Sequence, residues 1–293
     1  MKKYRFQRSF QSDPTLSKHL FNLLEIVFPG LGITNAAEHA SKLGASWESA
    51  STPFIRFEGN IAVTHVGVLE IPMYFMGELV TVSGVHGVST HPEFRRRGYY
   101  REVMEEVLDY CDRRYKTSVL TTSQPELYEP FGFRYIKEHM FVAKCNPTGG
   151  THGFRLLDTG NDNDISLLNR LLETREPVSH ILGVTKAKAL FCVIESRNPL
   201  FYAEDLDVLV CMNIEGSKLK LFDLVGPKLC SLQAIVDRIP HPIEEVEIYF
   251  SPDRFNVEAQ EFPHRLNGDD YLMVRGEFAP EKETFMLQRS ARC

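Results

Sequence analysis

The sequence predicts an α/β (α+β) protein with two similar halves, each a mixed, mostly antiparallel sheet flanked by helices. At 293 residues the chain is long for a single hydrophobic core. Strand-like and helix-like segments follow one another in both halves. The stretch KCNPTGGTHG, at 144–153, places turn-forming residues between two strand-like runs. We therefore predict a first domain at 1–145 and a second at 151–293.

Local patterns predict the elements of the first half in order. Tyr4 and Phe6 alternate with polar residues, which is typical of a strand. Asp13 and Pro14 predict the start of a leucine-rich helix, and a second helix is expected at about 35–45. Three strand candidates separated by Gly-containing turns come next: PFIRFEG, IAVTHVGVLEIPMYF and ELVTVSGVHGVST. They precede a helix after Gly98, the strand SVLTTS, a short helix or turn in QPELYEPFGF, and a last strand.

The second half repeats the later part of this order. It has a capped helix, a hairpin around Glu215-Gly216, a further helix and two strands: NDNDISLLNRLLE, DVLVCMNIEGSKLKLFDLV, KLCSLQAIVDRI, EVEIYF and DDYLMVRGEF. The two halves share this order of elements without sequence identity. The pattern predicts two sheets of similar architecture.

Composition excludes several classes of protein. The net charge is −6, and residues 1–145 carry 17 Lys and Arg against 16 Asp and Glu, so nucleic-acid binding is not expected. No apolar run reaches the roughly 18 residues of a membrane span, and no apolar region follows the basic N-terminus. Six scattered cysteines without a CxxC pair or histidines at ligand spacing argue against a metal site and favour reduced thiols in the cytoplasm.

The stretch THPEFRRRGYYREVM, at 90–104, indicates an anion site. A strand, an arginine-rich turn and a helix N-terminus bring together free main-chain amides, the positive end of a helix dipole and three guanidinium groups. Val80 and Val82 are followed by Val85, and this slip from even to odd positions predicts a β-bulge at Ser83-Gly84. A solvated basic loop is the alternative interpretation of the arginines taken alone.

With its context, this stretch resembles motif A of the GNAT superfamily of N-acetyltransferases. Arg95 and Gly98 match the first and fourth positions of that motif, and LYEPFGF is similar to the family's closing motif. The resemblance covers about residues 1–145. Tyr100 departs from the usual Gly or Ala, as in two-domain relatives that resemble the enhanced-intracellular-survival acetyltransferases. In those relatives a degenerate GNAT-like domain follows the active one, and residues 151–293 resemble it because they lack an arginine-rich turn before a helix.

The resemblance implies tandem GNAT-like domains, with a splayed pair of the fourth and fifth strands in the first, and acetyl-CoA as co-substrate without a metal. It implies that the turn and the first helical turn hold the pyrophosphate: Arg95, Arg96, Arg97, Gly98, Tyr99, Tyr100 and Arg101. It also implies that the pantetheine lies along Val88, Ser89 and Thr90, with Ser123 and Gln124 facing the coenzyme. The relatives carry a third, sterol-carrier-like domain that ends in a catalytic carboxylate. We do not assign that role to Cys293, because this chain is too short to include the domain.

Acetyl transfer to an amine needs a proton for the departing thiolate and a neutral amine. The resemblance places the general acid at Tyr128. His86 is a candidate base, with a structural histidine as the alternative, and Glu70, His65 and His91 are weaker candidates. The expected reaction is direct transfer from acetyl-CoA to a primary amine, of a small molecule or a protein; the acceptor and the oligomeric state stay open. The acidic second half favours a cationic amine. A regulatory protein that binds acyl-CoA without turnover is the alternative.

Overall fold

The computed structural model describes residues 3–146, 149–150, 153–266, 268 and 270–293. Its helices are α1 (Leu16–Val27), α2 (Ile33–Lys42), α3 (Trp47–Ala50), α4 (Tyr99–Asp112), α5 (Asp162–Thr174), α6 (Lys188–Glu195) and α7 (Leu232–Val236). Its strands are β1 (Ser51–Glu58), β2 (Ile61–Phe75), β3 (Glu78–Thr90), β4 (Thr117–Thr122), β5 (Arg134–Ile136), β6 (Glu138–Lys144), β7 (Arg155–Leu156), β8 (Leu182–Val184), β9 (Leu200–Ala203), β10 (Val208–Glu215), β11 (Lys218–Val225), β12 (Glu245–Ile248), β13 (Ala259–His264) and β14 (Tyr271–Gly276).

The first sheet has the order β1-β2-β3-β4-β14-β5, and β8 also pairs with β2. Its strands are antiparallel except for the parallel pair β3 and β4. Helix α4 joins these two strands and packs on one face through apolar residues at helical spacing, among them Val103, Val107 and Cys111. Helix α1 packs on the opposite face through four buried leucines. Burying each leucine stabilises the fold by about 1.5–3 kcal/mol.

The second sheet has the order β13-β6-β12-β11-β10-β9-β7, which mirrors the first. An antiparallel trio of strands (β9, β10, β11) is followed by helix α7 and a strand parallel to the third, β12. The strand inserted beside β12 is β6, from the first half of the chain, just as β14 from the second half is inserted beside β4. The predicted mixed, mostly antiparallel architecture of both halves is confirmed. The second sheet contains β6 from the first half, and the first sheet contains β14 and β8 from the second half.

This reciprocal exchange crosses the predicted boundary. The segment RYIKEHMFVAKC, predicted as one strand of the first half, is divided between the two sheets as β5 and β6. The segment DDYLMVRGEF forms β14 of the first sheet. Four residues of the predicted linker (147, 148, 151 and 152) lie outside the described residues. A division of the chain into domains 1–145 and 151–293 stays a prediction, and the sheets do not follow it.

Two local predictions are wrong. The N-terminal stretch forms only an isolated bridge between Gln7 and Phe54, and no strand. The register between β2 and β3 is continuous through Ser83 and Gly84, so no bulge lies there. Val82 and Val85 lie in different core clusters on opposite faces of β3. Because both faces are buried, apolar residues occur at even and odd positions without any slip in register.

The last described residues, 285–293, form an irregular buried segment, here called the tail segment. Three buried carboxylates hold it. Glu138 of β6 accepts hydrogen bonds from both terminal nitrogens of Arg292, at 2.7 and 3.0 Å. Glu195 of α6 pairs with Arg289 at 2.7 Å. Asp223 of β11 accepts hydrogen bonds from Gln288, Ser290 and Arg175. Cys293 also accepts a hydrogen bond from Thr121 of β4, so the tail segment lies between elements of both sheets.

Candidate active site

Strands β3 and β4 separate at their carboxyl ends. The ladder joins only Ser83 to Ser118 and Gly84 to Val119. The Ser83 hydroxyl donates to the Ser118 hydroxyl at 2.7 Å and ties the closed end of the pair. Beyond this point the described strands share no ladder pair, so a gap opens between the strand ends. This is the splayed pair that the resemblance implied.

A β-bulge lies in β3 at the gap. His65 pairs with Ser89, whereas Gly67 pairs with His86, so Gly87 and Val88 together face the single residue Val66 of β2. Gly87 has φ +57°, which glycine adopts without strain. The bulge in β3 therefore lies four residues beyond the Ser83-Gly84 position that the sequence predicted. It bends β3 at the segment assigned to the pantetheine.

The turn that follows β3 ends in an open helix N-terminus. Gly98 precedes α4 with φ +81°, and nothing lies within 4 Å of the position that a Cβ would occupy. The first bond of the helix joins the Glu102 amide to the Gly98 carbonyl at 3.1 Å. The amides of Tyr99, Tyr100 and Arg101 therefore have no partner within the helix. An anion can approach these amides closely, and the helix dipole favours it.

The three arginines are exposed and form no salt bridge within the described residues. Arg95 Nε donates to the Thr90 carbonyl at 3.2 Å, which closes the turn. Arg97 donates to the Glu93 carbonyl at 3.0 Å and lies over the Phe94 ring. Arg96 has φ +61°, in the left-handed region. Their charges are thus available to a ligand, while main-chain contacts hold two of the three in place.

Tyr100 occupies the motif position where the family has a small residue. Its hydroxyl donates to the Leu127 carbonyl at 3.0 Å, and its ring lies 5.4 Å from Phe131 and 6.4 Å from Tyr128. The side chain therefore packs sideways onto the 125–131 segment and leaves the helix N-terminus open. Arg101 of the same turn lies 5.7 Å from the Phe131 ring. Tyr100 thus fixes the segment that carries Tyr128.

Tyr99 has a partner that the sequence did not indicate. The guanidinium of Arg56, in β1, lies 3.6 Å from the centre of the Tyr99 ring. Arg56 also pairs with Glu58 and with Glu102 of α4. This cluster fixes the start of α4 against the sheet. Arginines at strand positions are common on protein surfaces, so the sequence offered no signal for it.

Tyr128 lies at the gap, between two single-turn 3₁₀ helices (Pro125–Leu127 and Glu129–Phe131). It is 8% exposed, and its ring packs near Phe133. Burial raises the pKa of its phenol to about 12, and a hydrogen bond from Thr122, at the end of β4, acts in the opposite direction. The phenol is therefore protonated throughout the neutral range and can donate a proton.

Ser123 and Gln124 follow β4 directly and are exposed. The Gln124 amide donates to the Thr122 hydroxyl at 3.0 Å, which turns the chain away from the strand. Of the pantetheine candidates, Val88 packs on the same core cluster as α4, and Thr90 lies opposite Thr64. Thr90 and Ser123 thus lie at the ends of the two strands that border the gap.

His86 lies on the other face of the sheet. Its neighbour Val85 belongs to the core under α4, and successive side chains of a strand point to opposite faces. Its Nε2 atom is 2.8 Å from the Ser51 hydroxyl, and its ring packs against Trp47. Burial lowers its pKa well below the usual value, with a further contribution from His65. His86 is therefore neutral and enclosed.

Next to it, His65 of β2 and Ser89 of β3 are partners in the strand ladder beside the bulge. The His65 Nδ1 atom donates to the Gly87 carbonyl at 2.7 Å, so its Nε2 atom carries the lone pair. That Nε2 atom and the Ser89 hydroxyl are both buried without a hydrogen-bond partner in the described structure. Burial lowers the pKa of His65 to about 4. The weaker candidates Glu70 and His91 are engaged by Tyr115 and by the Glu93 amide.

The tail segment also reaches the gap, which the sequence did not indicate. Both the amide and the hydroxyl of Thr121 donate to the main-chain oxygen of Cys293, at 2.8 and 2.7 Å. The Cys293 sulfur packs against Gly84 of β3, since a Cβ atom added to Gly84 would lie only 2.8 Å from it. Burial raises the pKa of this thiol to about 12, so it stays uncharged. Cys293 therefore lines the gap between the two strands.

Among the described residues no group of three His, Cys, Asp or Glu side chains is placed to hold a metal ion. None of the helices in the described ranges has the length and apolar character required to cross a bilayer.

Solved structures with a similar fold include a probable N-acyltransferase from Enterococcus faecalis V583, with 14% identity over 94% of this chain and 72% of that one, and a TM-score of 0.62. A GCN5-related N-acetyltransferase from Kribbella flavida has 19% identity over 91% and 70% of the two chains, with a TM-score of 0.56. Eis1 from Mycobacterium abscessus has 14% identity over 94% and 74%, with a TM-score of 0.54. Comparison with curated proteins gave no match.

Residues 20–136 match the acetyltransferase (GNAT) domain family. The matched range begins in α1 and ends with β5, so it includes the bulge, the arginine turn and Tyr128. The fold of the solved structures agrees with this match. The similarity to the GNAT acetyltransferase domain therefore rests on residues 20–136, the part of the chain that carries the candidate site.

Proposed function

We propose that the protein transfers an acetyl group directly from acetyl-CoA to a primary amine at the gap between β3 and β4. The observation that carries the proposal is the placement of Tyr128, a buried and protonated phenol, at the same gap as the open N-terminus of α4. Transfer from the thioester of a phosphorylated carrier requires an anion site that binds the phosphates and a proton donor for the leaving thiolate. Both come from the matched domain.

The residues present suit acetyl-CoA. The free amides of the first turn of α4 and the unpaired charges of Arg95, Arg96 and Arg97 provide donors for a pyrophosphate. Gly98 leaves open space on the approach to these amides. The bulge at Gly87 and Val88 bends β3 beside the gap and interrupts its regular pairing with β2, which supports an extended amide-containing arm there. When bound, acetyl-CoA would supply the activated acetyl group.

In this proposal Tyr128 donates its proton to the thiolate that leaves when the amine nitrogen bonds to the acetyl carbon. Its raised pKa keeps the proton in place until the thiolate forms. Tyr100 positions Tyr128 through its contacts with Leu127 and Phe131. The proton lost by the amine goes to His86 or to solvent. The lowered pKa of His86 keeps its imidazole neutral but makes it a weak base.

The proposal is tested by measuring release of the coenzyme thiol on a panel of primary amines, including polyamines, aminoglycosides and lysine peptides. Tyr128→Phe is expected to lower kcat about 10²- to 10⁴-fold with little change in acetyl-CoA binding. Tyr202→Phe, which removes a phenol from the second sheet, is the matched control. Unchanged turnover in Tyr128→Phe would show that Tyr128 is not the acid.

A second variant tests the anion site. Arg96→Gln is expected to weaken acetyl-CoA binding about tenfold to a hundredfold, because hydrogen bonds to charged groups contribute about 1.5–3 kcal/mol. Arg113→Gln, at the other end of α4, removes the same charge and is expected to leave binding unchanged. If both variants bind acetyl-CoA like the wild type, the turn does not hold the coenzyme.

A further inference from the structure

A second cavity lies where the chain passes twice from one sheet to the other. It has a volume of about 360 Å³, within the size range of small-molecule sites. One wall is the crossing from β5 to β6, and the other is the end of β13, before the chain returns to the first sheet as β14. The lining residues are Tyr135, Lys137, Glu138, His139, Pro263, His264 and Arg265.

The charge of this cavity is positive. Lys137 and Arg265 each form no salt bridge within the described part of the chain. The carboxylate in the lining, Glu138, is 3% exposed and is engaged from behind by Arg292 and by the Leu287 amide at 2.8 Å. Its charge is therefore neutralised inside the protein. The two remaining cations face the cavity from opposite crossings.

Aromatic contacts hold this wall in place. The Arg265 guanidinium lies 4.7 Å from the centre of the Tyr271 ring, and Tyr271 packs edge-on against Tyr135 at 5.1 Å. Packing against a ring fixes a guanidinium while leaving its N–H groups free to bind an anion. The imidazoles of His139 and His264 line the same space. Among the described residues the His139 ring makes no hydrogen bond, and its Nδ1 atom is buried without a partner.

We propose that this cavity binds the phosphate group of a small molecule, as a site separate from the arginine turn before α4 and beyond the acetyl-transfer function. Lys137 and Arg265 supply the charge, and the two imidazoles supply further N–H donors. The phosphate would join the β5–β6 crossing to the β13–β14 crossing. Inorganic phosphate and a phosphate monoester share this chemistry.

The test uses the full-length chain carrying Arg95→Gln and Arg97→Gln, so that the arginine turn cannot be the site that is measured. Inorganic phosphate and glycerol phosphate are titrated by calorimetry into this background and into the same background with Lys137→Gln and Arg265→Gln. The matched control adds Lys42→Gln and Lys228→Gln, which remove the same charge from exposed positions elsewhere. Thermal melting shows whether each variant is folded.

We expect the background and the matched control to bind at least one of the two probes, with a stoichiometry of about one probe molecule per chain. Loss of Lys137 and Arg265 is expected to weaken this binding at least about tenfold. In the background, the ring-proton NMR signals of His139 and His264 are expected to shift as the probe is added. The probe that binds more tightly identifies the source of the phosphate.

The proposal is overturned if the background binds neither probe, or if the matched control weakens binding as much as the Lys137 and Arg265 pair. It is also overturned if the histidine signals do not move during a titration that shows binding. None of these results depends on acetyl-CoA, so acetyl transfer and this site can fail independently.

Discussion

Replacing Arg292 by methionine tests what holds the tail segment. The Arg292 guanidinium spans both oxygens of Glu138 at 2.7 and 3.0 Å and also donates to the Leu287 carbonyl at 2.8 Å. The side chains are 7% and 2% exposed. Methionine fills much of the same volume without charge or donors. The Glu138 carboxylate then keeps only the Leu287 amide as a partner.

The expected cost follows from this burial. Removing one partner of a buried ion pair costs about 3–5 kcal/mol, because an uncompensated charge stays in a low-dielectric environment. An exposed pair contributes about 0–1 kcal/mol. Arg113, 56% exposed and paired with Asp109, is therefore the matched control. Arg292→Met should cost several times as much as Arg113→Met.

Urea denaturation at pH 7 measures the free energy of unfolding of both variants. A third variant, Glu138→Gln with Arg292→Met, removes the buried charge and keeps an amide oxygen that can accept from Leu287. It is expected to recover about 2 kcal/mol of the loss, since replacing both partners of a buried pair is far less costly than removing one.

A loss below about 1 kcal/mol in Arg292→Met would refute this reasoning. So would a double variant as unstable as the single one, because the cost would then come from packing and not from the unpaired carboxylate. Activity provides a second reading. Arg292 directly precedes Cys293, which accepts hydrogen bonds from Thr121, so loosening the tail segment should also disturb the gap.

Three further variants follow from the geometry. Burial lowers the pKa of His65 to about 4, below the roughly 6.5 of an unfolded histidine. The free energy of unfolding therefore has its full value, as far as His65 is concerned, above roughly pH 6.5, and it decreases as the pH falls toward about 4. His65→Leu should remove up to about 3 kcal/mol of this acid destabilisation, measured by urea denaturation at pH 7 and pH 4.5; an unchanged pH dependence contradicts it. Gly84→Ala places a Cβ 2.6 Å from Ile71 and 2.8 Å from the Cys293 sulfur, and overpacking of this kind costs about 1–3 kcal/mol; Ile71→Val should restore part of it, and an unaffected single variant would show that the gap yields. Gly98→Ala meets no atom within 4 Å but keeps φ +81°, so denaturation should show a loss of about 1–2 kcal/mol from backbone strain alone, and no loss would mean that the turn relaxes.

Local patterns were enough to predict most helices and strands and to propose a candidate site. The arginine turn, Gly98 and the 3₁₀ segment around Tyr128 are adjacent in sequence to the elements that position them. Their placement at one gap follows from the parallel pair β3 and β4. The predicted position of the bulge was wrong because both faces of β3 are buried. Valines can then occur at even and odd positions without a change in register.

Sheet membership could not be predicted in the same way. The pattern of β14 shows that a strand exists but not which sheet it joins, because the unpaired main-chain groups of any edge strand can accept it. The sequence of the tail segment has no apolar periodicity that would indicate burial. The segment is held by Arg289 and Arg292, which pair with carboxylates far away in sequence. Contacts of this kind depend on the complete fold.

The exchange of β6 and β14 has a consequence for protein synthesis. Thr117 of β4 and Glu277, just after β14, are hydrogen-bonded across 160 residues of sequence. While the first half emerges from the ribosome, β4 and β5 therefore have no partner between them, and unpaired edges of this kind promote aggregation. The first sheet becomes complete only after β14 has been translated, so a nascent chain that ends before Tyr271 would leave this edge of β4 unpaired and would depend on chaperones.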